Sequence, residues 1–171
     1  EFRRVLFRSK AVNELRNFYS NPGDQAPGDL KRRNNEADII EAALSKCTSS
    51  VDLVFLLDES GSVGAANFQN SLDFVQRLIR SFPDENLRGE NGTRFGLSTF
   101  SNSYSTEFYL YSHTNQLGYS SAISSVSYSG GGTNLGFALG RVLTDQFSER
   151  RGLRPKADGL PRILVVLTDG R

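Results

Sequence analysis

Asp58, Ser60 and Ser62 set three oxygen-bearing side chains at alternate positions on a turn that contains Gly61. Carboxylate and hydroxyl oxygens packed this densely are the donors that a hard cation such as Mg²⁺ or Mn²⁺ takes. Two later segments carry the same chemistry. Ser129-Gly130-Gly131-Gly132-Thr133-Asn134 is a glycine-rich loop ending in a hydroxyl, and Thr168-Asp169-Gly170 supplies a second carboxylate. The bland alternative is a set of ordinary turns, since Asp, Ser and Gly are common turn residues. Ser60 or Ser62 would then cap the following helix. Thr133 stands at a helix start, with its hydroxyl available either to cap or to bind a cation. A glycine-rich loop before a helix can also cradle phosphate. No Lys follows these glycines, so it is not a Walker loop.

The elements around these residues must bring them together. Leu53 to Leu57 is an unbroken apolar run that ends at Asp58, and Ile163 to Leu167 is a second that ends at Thr168-Asp169. Short apolar runs without polar alternation suit strands buried on both faces, as in a parallel sheet. Open α/β sheets place their sites at the carboxyl ends of such strands. If the two strands are adjacent and parallel, Asp58 and Asp169 meet at one sheet edge.

Between them, Phe68, Leu72, Val75, Ile79 and Phe82 line one helical face that ends at Pro83. Thr93 to Phe100 alternates as a strand, and Thr106 to Tyr111 is aromatic and β-prone, so the two predict a hairpin. Leu117 to Val126 predicts a weaker helix. Leu135, Ala138, Leu139, Val142 and Leu143 predict a stronger one after the glycine loop. Ser148 to Pro161 reads as a polar loop.

The amino terminus has a different character. Glu1 to Ser9 back-translates to GAG TTC AGA CGT GTG CTC TTC CGA TCT, the tail of a common sequencing-library adapter, so residues 1–9 are expected to be non-native. They carry Arg3, Arg4 and Arg8 against Glu1, a net of +2, so the chain's +1 becomes −1 without them. The apparent basicity thus gives no support to nucleic-acid or membrane-surface binding. There is no Met, and the chain is expected to start and stop inside a reading frame. Residues 10–48 read as linker and short helices, around Lys10–Phe18 and Glu36–Leu44. No apolar run approaches the roughly 20 residues of a membrane helix. A signal peptide would not be visible in a chain truncated upstream.

Cys47 is the only cysteine and His113 the only histidine. Cys47 is either half of a disulfide whose partner lies beyond Arg171 or a free, partly buried thiol. A Cys47–His113 nucleophilic pair is the third option, although His113 is expected in the loop Ser112 to Asn115. Asn91-Gly92-Thr93 is either a glycosylation sequon or a plain Asn-Gly turn.

Val-Phe-Leu-Leu-Asp-Glu-Ser-Gly-Ser-Val, Ser-Gly-Gly-Gly-Thr-Asn and Val-Val-Leu-Thr-Asp-Gly, in this order, resemble the three metal-ion-dependent adhesion site motifs of a von Willebrand factor A (vWA) domain. The resemblance covers about Ser49 to Gly170, and residues 49–171 are expected to form a partial domain of this kind. It implies an α/β fold with a doubly wound, mostly parallel, Rossmann-like sheet of strand order 3-2-1-4-5-6, in which the third strand is a short antiparallel edge. This chain would supply four of the six strands, leaving the fourth at an open, aggregation-prone edge. Residues 10–171 alone would then be unstable.

The resemblance further implies that Ser60, Ser62 and Thr133 bind the cation through hydroxyls. Asp58 and Asp169 would act in the same site, commonly through water, trading direct coordination with Thr133. Glu59 holds a variable position. The implied partner is a protein that supplies a Glu or Asp carboxylate, such as collagen or another matrix protein, at an extracellular or cell-surface location. Cys47 just before the first strand fits such relatives, as does the Arg-Pro-Lys stretch from Arg154. Two alternatives remain. An intracellular relative would use the same site to organise a chelatase-type ATPase assembly. A Mg²⁺-dependent phosphoryl transferase would need a charged metal site with a general base or nucleophile, whereas here the metal is flanked by neutral hydroxyls.

Overall fold

The computed structural model describes the backbone path of residues 3–6 and, in full, residues 50–155 and 159–170. Cys47 and the two lead-in helices lie outside the described residues. In chain order the elements are β1 (Arg3–Leu6), β2 (Asp52–Asp58), α1 (Gly64–Arg80), β3 (Arg94–Phe100), β4 (Tyr104–Phe108), α2 (Gln116–Ser124), α3 (Leu135–Asp145) and β5 (Arg162–Thr168). Short 3₁₀ turns lie at Asp84–Leu87 and Glu149–Arg151.

The sheet runs β1-β5-β2-β3-β4. The two apolar runs are its central parallel pair, with Leu53 beside Ile163 and Leu57 beside Leu167. β3 is parallel to β2 on the other side, and β4 returns antiparallel as the edge. Every residue of β2 is buried, because both faces of the sheet are covered. Leu53, Phe55 and Leu57 face α1 and α2 through Phe68, Leu72, Val75, Ile79 and Tyr119. Val54 and Leu56 face α3 through Ala138 and Val142. The unbroken apolar run is therefore the signature of a strand sandwiched between two helical layers.

Two expectations need correction. The second hairpin strand is Tyr104–Phe108, not Thr106 to Tyr111. Past Phe108 the chain turns, with the Tyr109 N–H donating to Ser112 Oγ and the Ser112 N–H to Tyr109 O. The aromatic run was β-prone, but local side-chain capping ends the ladder there. β5 is also not an open edge in this chain, because β1, from the segment expected to be non-native, pairs antiparallel along it, with Arg3 opposite Thr168 and Leu6 opposite Val165. Ladder bonds are made by backbone groups, so an unpaired strand edge accepts any extended segment.

The amino end of the sheet is closed by ions. Asp52 is wholly buried, and Arg154 is 5% exposed. Arg154 donates from Nε and Nη2 to Asp52 Oδ1, at 2.9 and 2.7 Å, and its backbone N–H donates to Oδ2 at 3.0 Å. Its Nη1 donates to the carbonyls of Glu90 and Gly92. One guanidinium thus binds the loop before β3 and the loop before β5 to the first residue of β2.

His113 lies in its expected loop. It packs edge-on against Phe108 and Tyr119, and burial lowers its pKa. The Tyr119 hydroxyl donates to His113 O, and burial pushes this phenol up to about 12.

Candidate metal centre

The carboxyl ends of β2 and β5 bring the two carboxylate motifs side by side. Leu57 is paired with Leu167, so Asp58 stands opposite Thr168. The Thr168 hydroxyl donates to Asp58 Oδ2 at 2.6 Å, and the Ser60 N–H donates to Asp58 Oδ1 at 2.9 Å. Asp58 is 1% exposed, and both of its oxygens are held by protein donors. Asp169 follows Thr168 and is half-buried at the same edge. The Gly170 N–H donates back to Thr168 Oγ1, closing the turn that carries Asp169.

The two serines do not cap the next helix. The N-cap of α1 is Val63, and no side chain caps it. Instead Ser60 Oγ and Ser62 Oγ lie 3.1 Å apart, with Ser60 buried and Ser62 exposed. Thr133 does not cap α3 either. That position belongs to Asn134, whose side chain accepts from the Phe137 N–H. Thr133 is exposed.

Backbone bonds join the glycine loop to the first motif and to the hairpin. The Gly61 N–H donates to Gly131 O at 2.8 Å, the Glu59 N–H to Phe100 O and the Asn134 N–H to Ser101 O. Gly131 has φ +106°, a conformation that side chains disfavour. Tyr128 adds a bond from its hydroxyl to Ser60 O.

The donor set can be tested against a small hard cation. Adjacent vertices of an octahedron with metal–oxygen bonds of about 2.05 Å lie about 2.9 Å apart, close to the 3.1 Å between Ser60 Oγ and Ser62 Oγ. Among the described residues, no three His, Cys, Asp or Glu side chains gather into a metal-holding group. The spacing of the two serine hydroxyls fits adjacent ligands of such a cation. Hydrogen bonds join Asp58 to Ser60 and Ser60 to Ser62 directly, and Thr168 and Gly131 tie in the turn that carries Asp169 and the loop that carries Thr133.

Several contacts around these residues are not readable from the sequence. Thr168 was readable only as the residue before Asp169. Glu59 is 6% exposed and accepts from the Ser129 N–H. Its burial raises its carboxyl pKa, against the lowering effect of the bonds from Ser129. Asn102, on the hairpin turn, accepts from the Gly132 N–H at 3.0 Å, and no motif marks it.

The von Willebrand factor type A domain model matches residues 52–171. Human matrilin-4 is 40% identical over 121 residues, 71% of this chain and 19% of that protein. The transmembrane cell adhesion receptor mua-3 of Caenorhabditis elegans is 38% identical over 120 residues, 70% of this chain and 3% of that protein. Among solved structures, proximal thread matrix protein 1 from the mussel byssus matches with TM-score 0.65 and 29% identity, over 73% of this chain and 32% of that one. Another structure of that protein, described as having a zinc-occupied MIDAS motif, matches with TM-score 0.57 and 31% identity, over 62% and 28%. The chain spans less than a third of each of these proteins.

Proposed function

The chain belongs to the von Willebrand factor type A domain family, and from that premise we propose that it is a divalent-cation-dependent protein-binding domain of the extracellular matrix or cell surface. Asp58, Ser60, Ser62, Thr133 and Asp169 would hold the cation, Mg²⁺ or Mn²⁺. The observation that carries this reading is the pair of serine hydroxyls turned towards each other at 3.1 Å while the next helix is left uncapped. The relatives named as matrilins and an adhesion receptor support adhesion over an ATPase assembly or a phosphoryl transferase.

A bound Mg²⁺ supplies a strong electrophilic charge at the sheet edge. The neutral hydroxyls of Ser60, Ser62 and Thr133 would leave most of that charge uncompensated. A Glu or Asp carboxylate of a matrix protein such as collagen is then the complementary ligand. Asp58, with each oxygen held by a protein donor, is placed to orient water through its remaining lone pairs. Thr133 and Ser62 are exposed, so a protein partner can reach the centre.

The test is solid-phase binding of the full chain to collagen and other matrix proteins. Binding should appear in Mg²⁺, vanish in EDTA and return on re-addition. Binding that ignores EDTA would refute the reading. Mg²⁺ at about 100 times its Kd should also add about 2.7 kcal/mol of stability, removable by EDTA.

The proposed location has its own check. Asn91 is exposed, in the loop before β3, at the end of the sheet opposite the metal centre. A glycan there would leave the partner face clear. Secretion from animal cells should yield a form whose mass drops on treatment with peptide N-glycosidase, and Asn91→Gln should abolish that drop. A secreted chain of unmodified mass would count against use of the sequon.

A further inference from the structure

The loop that carries Thr133 is tied to α3 through the Asn134 cap and is anchored on other elements as well. Gly131 O accepts from the Gly61 N–H, the Asn134 N–H donates to Ser101 O, and the Gly132 N–H donates to Asn102 Oδ1. The residues on both sides of Thr133 therefore hang from Ser101 and Asn102, in the turn between β3 and β4. That turn is itself closed by the Ser101 N–H donating to Ser103 O. The approach is close. A Cβ on Gly132 would lie 2.5 Å from Asn102 Oδ1, and one on Gly131 would lie 3.1 Å from Asn102 Nδ2. Glu59 Oε2 holds the start of the loop by accepting from the Ser129 N–H, but at the end that carries Thr133 the Asn102 bond is the one made by a side chain of the hairpin, and Asn102 is exposed.

We propose that Asn102 is a positioning residue for the metal centre, holding the glycine loop so that the Thr133 hydroxyl faces the cation. This rests on the cation reading above. A hydroxyl contributes to a small octahedral site only when it is held close to its vertex. Releasing the Gly132 N–H frees the residue next to Thr133 while leaving every proposed ligand in place. The bond needs an acceptor at Oδ1 but no donor, so Asp can replace Asn there and would add a negative charge near the cation.

The experiment is calorimetric titration of Mn²⁺ into the whole chain with its natural Asn102, Asn102→Ala and Asn102→Asp, with thermal melts of each in EDTA. Asn102→Ala should weaken Mn²⁺ about tenfold, at the low end of the effect of orienting groups around metal ligands, with an unchanged melt in EDTA. Asn102→Asp should bind Mn²⁺ at least as tightly as wild type. Wild-type affinity in Asn102→Ala, or equal weakening in both variants, overturns the assignment. A wild type that takes up no Mn²⁺ overturns the cation reading and this assignment with it.

Discussion

Arg154→Ala is expected to destabilise the fold by about 3–5 kcal/mol, because it leaves the wholly buried Asp52 carboxylate without its cation. Against a typical domain stability of about 5–15 kcal/mol, that is a large share. Arg154→Lys should recover only part of it. An ammonium can keep the charge but cannot make the two-nitrogen contact to Oδ1 while also reaching the Glu90 and Gly92 carbonyls. Removing both charges, as Asp52→Leu with Arg154→Met, should cost less than Arg154→Ala alone, because no buried charge is then left unpaired. It will not be neutral, since the two loop carbonyls lose their donor. Urea unfolding of the wild type and these three variants decides this. A double variant no more stable than Arg154→Ala would show that the unpaired Asp52 charge is not what the single loss costs.

Asp58→Asn should lower Mg²⁺ affinity about 10–100-fold and abolish cation-dependent partner binding, while the fold survives. Asn is isosteric, and its amide oxygen can still accept from the Ser60 N–H. The Thr168 hydroxyl can reverse and accept from the new amide nitrogen. The charge-assisted bond at 2.6 Å becomes a neutral one, at a cost of about 1 kcal/mol to the metal-free protein. Titration calorimetry for Mg²⁺ and an EDTA melt separate the two effects. Unchanged affinity would remove Asp58 from the site.

What the sequence could reveal depended on periodicity and adjacency. Leu53–Leu57 and Ile163–Leu167 are apolar without alternation, which is enough to predict central strands. Their terminal carboxylates then fall at one edge by topology alone. The face Phe68, Leu72, Val75, Ile79 and Phe82 is buried as expected. What stayed hidden arises from contacts between residues far apart in the chain. Asn102 lies in the serine-rich string Ser101-Asn102-Ser103, and only the hairpin register brings it to Gly132. Arg154 and Asp52 are separated by most of the domain. Asp52 did carry a signal, because a charge beginning a strand buried on both faces needs a partner. Nothing local names Arg154. Thr168 acquires its role only when β5 lies beside β2.

The frame around the centre is largely main chain to main chain: Glu59 to Phe100, Gly61 to Gly131 and Asn134 to Ser101. Apart from Gly131, whose φ of +106° suits only glycine, such bonds do not depend on which side chains the participating residues carry. Outward-facing positions near the centre, such as Phe137 at 49% exposure, are therefore free to change without moving the cradle. An anchor point built this way can be inherited unchanged while its surroundings diversify. One scaffold can then acquire many binding preferences by surface substitution, and a library varied at those exposed positions should retain its cation affinity.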